Sequence, residues 1–291
     1  MEILLIRIAS VAIMATAYMI FDVFNNRNVP GIFAYATLAY GAVLTLLYLN
    51  ATAISISCTI ALVILGIGYA IYRMGLIGAA DVMEFAALSL IIPVQPAPLL
   101  MMSQAQFGIP FVISVLIGSG IAALVIVPLY YIPKARGAFK NTPIRSTNVV
   151  KAAAIAGAYL LFFAALEYTA GITMMGVIIL AVLFVGSATI TLFEDPITKT
   201  MVEYANVDRF EEGDLIALNL MSRQDVESAK RHIRHFDRLV TEALIKEMHK
   251  KHIRQKFPVY KSALPLALPI FIGVVVSLLF GNILIFLLPG L

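Results

Sequence analysis

The sequence predicts an all-α membrane protein of about eight transmembrane helices, with a small cytoplasmic domain just before the last of them. Three observations lead there. Of 291 residues, 61% are hydrophobic and 13% charged, against roughly 45–50% and about 25% in soluble domains. Apolar runs near the ~20 residues that cross the hydrocarbon core of a bilayer recur along the chain. Threading those runs alternately through a bilayer sorts nearly all lysines and arginines to one side.

The runs fall at residues 3–21, 31–49, 51–72, 82–102, 107–132, 152–167, 171–193 and 263–288. The first has no basic leader and no small-residue cleavage site, so it reads as a retained helix and not a signal peptide. The fourth carries Pro93, Pro96 and Pro98, which predict that its far end unwinds or re-enters. The sixth is the shortest. Arg27, Arg73, Lys134, Arg136, Lys140, Arg145, Lys151 and the thirteen basic residues from Lys199 to Lys261 share one side, and Arg7 alone lies near the other. The positive-inside rule makes the crowded side cytoplasmic and places both termini outside the plasma membrane. The net charge of +4 is then topological, and no nucleic-acid partner is expected. Cys58 is the single cysteine, which excludes a disulfide framework and a cysteine-ligated cluster.

The chain divides into a membrane domain at 1–193, a polar segment at 194–262 and a last transmembrane helix at 263–291. Residues 194–261 hold thirteen basic and twelve acidic residues. Glu212, Gly213 and Asp214 signal a turn, and Ser222 with Asp225 signals a helix start. Val226, Ala229, Ile233, Phe236, Val240, Leu244 and Met248 recur at three and four residues, predicting one amphipathic helix about seven turns long. His232 and His235, then His249 and His252, would sit on it as solvated surface. They are no metal site, because the surrounding Lys and Arg repel a cation and no carboxylate or thiolate completes a ligand set. Lys246, Lys250, Lys251, Arg254 and Lys256 could rest on anionic lipid.

Of seventeen acidic residues, twelve belong to the polar segment and Glu2 and Glu167 lie at the opposite face. Asp22, Asp81 and Glu84 remain, and a carboxylate at membrane depth is a functional hypothesis by default. Topology puts Asp22 and Asp81 at one depth on the cytoplasmic side. Two apposed carboxylates cannot both ionise cheaply, so one stays an acid while the other acts as general base on a water. That is aspartyl protease chemistry, which needs no metal or cofactor. The plainer alternative is that Asp22 caps a helix end or pairs with Arg27 and that Asp81 caps the fourth helix.

The strings FDVFNNRNVP around Asp22 and GLIGAADVME around Asp81 resemble the two active-site signatures of archaeal prepilin and preflagellin peptidases, which are GxGD aspartyl proteases. The resemblance implies that Asp22 and Asp81 are catalytic, with Arg27 and Pro30 matching the basic stretch and proline after the first aspartate. It makes Gly78, Ala79 and Ala80 the active-site turn, with Ala80 standing where the motif has glycine. In such a turn alanine loses glycine's access to positive φ, so Ala80→Gly should keep or raise activity. Glu84, a turn deeper, is a possible supporting group. The tail KSALPLALPIFIGVVVSLLFGN is similar to the family's proline-containing last helix, whereas 134–193 has no counterpart in it. The implied substrates are pilin-like or flagellin-like precursors, cut at the cytoplasmic face. Two alternatives stay open. One is a protease of the presenilin or signal-peptide-peptidase type, to which PLALP is the nearest string. The other is a transporter or scaffold in which the three carboxylates line a polar pathway.

Overall fold

The computed structural model describes residues 2–25, 29–48, 50–74, 76–100, 108–137, 142, 144–233, 236–253, 255–260 and 266–287. Arg27, Lys140, His235, Arg254 and Lys261 lie outside the described residues. Among the described residues, each of the eight apolar runs contains an α-helix, and the eighth also contains a short 3-10 helix at Ile283–Leu287. Five are long and apolar enough to cross a membrane: α1 (Glu2–Phe24), α3 (Ala51–Arg73), α5 (Phe111–Lys134), α6 (Ser146–Thr169) and α7 (Met174–Leu192). Helix α2 (Gly31–Tyr48) is apolar and somewhat shorter. The sixth run, the shortest in the sequence, becomes a 24-residue helix because Ser146 to Lys151 add a polar first turn.

The fourth run is where the structure departs most from a simple span. Helix α4 (Ala79–Ile91) has 13 residues, about 20 Å at 1.5 Å per residue, against a hydrocarbon core of about 30 Å. It stops ahead of Pro93, and the extended chain beyond it turns to the last apolar helix of the chain. There Leu99 N and Leu100 N donate to Leu278 O and Leu279 O at 3.1 and 3.0 Å, and Gln95 Nε2 donates to Ser277 O at 2.8 Å. That last helix also ends early, at Phe280, where Gly281 takes φ +79°. The unwound segment thus supplies donors to last-turn carbonyls of that helix, of which Ser277 O also accepts from Gly281 N at 3.0 Å, and this makes irregular backbone tolerable at this depth.

Helix α4 is enclosed, with nine of its residues buried. Two glycines let the neighbouring helices close on it. A Cβ at Gly68 of α3 would lie 2.3 Å from Val82, and one at Gly41 of α2 would lie 3.1 Å from Leu90. Small residues serve here as they do in other membrane bundles, by bringing backbones together. The rest of the core joins Val11, Met14, Ala15 and Tyr18 of α1 to Phe85, Leu88 and Ile91 of α4 and to Phe111, Val112 and Val115 of α5.

The polar segment departs from the predicted single long helix. It contains α8 (Glu194–Met201), α9 (Arg223–His232) and α10 (Glu242–Lys250), with strand β1 (Val202–Ala205) antiparallel to β2 (Phe257–Tyr260). The chain then enters α11 (Ala267–Phe280). Ser222 caps α9 as expected, its hydroxyl accepting from Asp225 N at 3.1 Å. Between α9 and α10, residues 238–240 pair with the 213–216 stretch through Ile216 N to Arg238 O and Val240 N to Asp214 O, both 2.8 Å. Thr241 then restarts the helix by accepting from Leu244 N. The apolar stripe that needed a partner surface supplies its own. Ile233, Phe236, Val240, Leu244 and Met248 fold around Phe210, Ile216, Phe257 and Val259 as a second core. A carboxylate also reaches one histidine, since Asp208 Oδ1 lies 3.5 Å from His249 Nδ1. Lys246 and Lys251 pair locally with Glu242 and Glu247, each at 2.7 Å.

Candidate functional site

The three carboxylates gather at one end of the bundle. On α1, Tyr18 and Asp22 are four residues apart and share a face; on α4, Asp81 and Glu84 are three apart and share another. The two faces meet. Asp22, Asp81 and Glu84 interact electrostatically with one another, and Tyr18 feels both Asp81 and Glu84. Asp22 is near the end of α1 and Asp81 is in the first turn of α4, so the pair lies toward one surface of the bundle and not in its middle.

Each aspartate is held by a backbone donor at a helix start. Asp22 Oδ2 accepts from Ala267 N, the first residue of α11, at 2.9 Å. This contact joins residues 245 apart in sequence and fastens α1 to the start of the last helix, where the dipole favours a negative group. Asp81 Oδ2 accepts from Gly78 N at 3.1 Å, closing the first turn of α4. The capping roles open in the sequence are therefore real, and Asp22 caps α11 and not its own helix. In both cases one carboxylate oxygen is engaged, which fixes the side chain in place.

The predicted active-site turn takes a different form. Ala79 and Ala80 are the first two residues of α4, and Gly78 is its N-cap with φ −74°. No positive φ is required of any of the three. Glycine at 78 has another reason, because a Cβ there would lie 2.7 Å from Asp81 Oδ2. The missing side chain leaves room for the carboxylate to fold back on the helix start. Arg27, the pairing partner the sequence offered for Asp22, lies outside the described residues.

Glu84 differs from both aspartates. It is fully buried, and among the described residues neither of its oxygens has a hydrogen-bond partner. Tyr18, also fully buried, directs its hydroxyl to Thr37 Oγ1 at 2.9 Å and so is engaged elsewhere. Tyr18 was not singled out in the sequence, although its place one turn before Asp22 was a usable signal.

Arg7 is the second residue that sequence reasoning passed over. It is 4% exposed and donates through Nη1 to Ile91 O and through Nη2 to Leu44 O, the latter at 2.9 Å. A lone cation in an apolar run was the signal. It saturates carbonyls at the C-terminal ends of α4 and α2, and Thr45 Oγ1 does the same for Leu90 O at 2.7 Å. The exception to the charge sorting is thus a buried helix cap.

The small folded segment lies at the carboxylate end. Arg238 Nη1 donates to Met74 O just past α3, at 3.4 Å, and β2 leads into the α11 start that holds Asp22. An open groove between the segment and α3 is lined by Arg73, Phe236, Asp237, Leu239, Thr241 and Ala243. None of the three membrane carboxylates lines it. Comparison with protein-family models, curated proteins and solved structures found no match to this chain.

Proposed function

We propose that this chain is a membrane-embedded aspartyl endopeptidase that removes the leader of pilin-like or flagellin-like precursors at the cytoplasmic face. One observation carries the reading: Asp22 and Asp81, each tethered by one oxygen to a helix start, are electrostatically coupled at the same end of the bundle. Sharing a proton, one carboxylate takes a proton from a water as it attacks the scissile carbonyl, and the other donates to the departing amine. The tethers hold both groups in position before substrate arrives. Their place at helix ends suits a bond at the membrane surface, between a basic leader and a hydrophobic segment, better than a bond in mid-bilayer. That favours a leader peptidase over a presenilin-like protease.

In this reading the eight helices are eight spans, α4 and α11 crossing with the help of extended chain. The segment 194–262 is cytoplasmic and both termini are outside. A cysteine introduced at 220 is then protected from an impermeant external reagent in intact cells, and ready labelling there would overturn the topology. The activity is tested by incubating membranes containing the protein with a pilin precursor and following loss of the leader. A second reading, a proton or ion transporter, draws on the two broken helices and on Glu84. Proton flux in reconstituted vesicles without any precursor cleavage would favour it.

A further inference from the structure

We propose that the open sheet edge at residues 237–241 binds the leader of the precursor as an added β-strand, in the groove between that edge and the end of α3. The inference rests on the leader peptidase reading and gives it a docking site for the substrate. The pairing of β1 with β2 continues past β2. Ala217 N donates to Pro258 O and Tyr260 N to Leu215 O, at 2.8 and 2.9 Å, so residues 215–217 lie antiparallel on β2. Residues 238–240 pair in turn with that stretch, with Leu239 opposite Leu215. The register follows from the bonds around this pair. The carbonyl of Arg238 accepts from Ile216 N, Val240 N donates to Asp214 O, and Val240 O accepts from Gly213 N. In an antiparallel ladder the residue between such bonds turns its own N–H and C=O to the other edge. Leu239 N–H and C=O have no hydrogen-bond partner among the described residues. The alternate residues Asp237, Leu239 and Thr241 line the groove, as the period of two along an edge requires.

An unpaired edge of this kind takes an extended polypeptide, because another main chain supplies N–H and C=O groups at matching intervals. Arg238 Nη1 donates to Met74 O at 3.4 Å and so sets the edge beside the end of α3, leaving a groove of about 430 Å³. Its lining includes one charge of each sign, Arg73 and Asp237, so what it selects is main chain and not net charge. Position names the occupant. Gly68 of α3 packs on Val82, the neighbour of Asp81, and Arg73 lies five residues further along the same helix, about 7.5 Å at 1.5 Å per residue. The groove therefore begins roughly that far beyond the level of Asp81, past the helix ends. An extended chain covers such a step in about two or three residues at ~3.3 Å each. With the scissile bond at the aspartates and the hydrophobic segment running on into the membrane, the strand at the edge is the leader. Its pairing starts about two or three residues before the cut and holds the substrate extended as it passes the pair.

The test uses the purified full chain in detergent and synthetic peptides that join a lysine-rich leader to the first residues of a pilin hydrophobic segment, each N-methylated at one leader position. Fluorescence anisotropy on the Asp22→Asn, Asp81→Asn double variant reads the dissociation constant without turnover. An N-methyl group removes one main-chain donor, so the constant is expected to rise roughly three- to tenfold at every second position and little at those between. Leu239→Pro removes the outward N–H of the edge and no bond inside the sheet. It is expected to weaken binding by about the same factor and, with both aspartates present, to raise KM more than it lowers kcat. An N-methyl profile that does not alternate overturns the proposal, whether or not Leu239→Pro folds. So does a folded Leu239→Pro protein that binds the unmodified peptide as tightly as its parent. Light scattering covers the other occupant of an open edge: a dimer that Leu239→Pro dissociates, with peptide binding unaffected, assigns the edge to a second copy and overturns the proposal. If the peptides bind with the alternating profile but wild type cuts no precursor, the docking stands and the protease reading alone fails.

Discussion

The two ends of α4 treat buried polar groups in opposite ways. At the C-terminal end, Arg7 and Thr45 take up the carbonyls of Ile91 and Leu90, so a helix that stops inside the bundle leaves those orphan acceptors satisfied. At the N-terminal end, three carboxyl groups crowd together, and the deepest has no hydrogen-bond partner among the described residues. Native proteins satisfy buried polar groups almost everywhere, and the exceptions need a reason. The C-terminal end is architecture: its last carbonyls are satisfied, although Gln95 Oε1 and Ser277 Oγ just beyond it have no hydrogen-bond partner among the described residues. The unsaturated end departs from the rule as functional sites do.

The sharpest way to break this contrast is to remove proton exchange and leave the hydrogen bonds. Asp22→Asn and Asp81→Asn keep an oxygen that can accept from Ala267 N and Gly78 N, so both caps and the fold are expected to survive. Cleavage is expected to fall by at least ~100-fold in each variant, the scale of general acid–base catalysis. The double variant should be no worse than either single one, because the pair works as a unit, and the wild-type pH profile should show two apparent constants that belong to the pair. Near wild-type cleavage by either variant would reduce the carboxylates to caps.

The opposite end is tested by Arg7→Leu. Hydrogen bonds from a charged group are worth about 1.5–3 kcal/mol each, and two carbonyls lose their donor. Stability is expected to fall by roughly 3 kcal/mol, read as a lower melting temperature in detergent, while kcat per folded molecule changes little. A variant as stable as wild type would mean that these caps contribute nothing net.

What the residues alone revealed follows the range of the forces involved. Apolar length is a local property, and all eight runs contain helices; Pro93, Pro96 and Pro98 likewise marked where α4 ends. The positions of Asp22 and Asp81 were legible from charge at depth. Their partners were not, because the Ala267 N–H comes from 245 residues away and a backbone donor leaves no trace in composition. The polar segment was misread for a related reason. A three-four spacing from Val226 to Met248 fits one long helix, but it fits a compact core equally well once Ile216, Phe257 and Val259 arrive from outside the window.

Gly78→Ala probes the aim of Asp81 without touching its chemistry. The new Cβ would sit 2.7 Å from Asp81 Oδ2, closer than contact allows, and the carboxylate is the part able to move. The backbone at 78 is extended and accepts alanine. The expected result is a stable protein with cleavage down by about tenfold, since small misplacements of a reacting group are costly. Unchanged kcat would show that the position of Asp81 is not set by this cap.

The smallest expected effect is at Ala80, where sequence and structure disagree about the cause. A turn that needs glycine would make Ala80→Gly as active as wild type or more so. Ala80 is instead the second residue of α4, partly buried against the core. Glycine there costs helix stability, up to about 1 kcal/mol in a helix interior and less in a first turn, and it creates no conformation that alanine lacks. Ala80→Gly is therefore expected to cleave within about twofold of wild type and never faster, a shift below the 1.4 kcal/mol of a tenfold change. Ala80→Val crowds two methyl groups toward the core and should lose more, at a cost of about 1–3 kcal/mol. Side-by-side kcat values for the three proteins decide between the explanations. A several-fold gain in Ala80→Gly would mean that the working enzyme unwinds the first turn of α4 into the glycine-type turn its motif resembles, and that the capped helix start is the resting form.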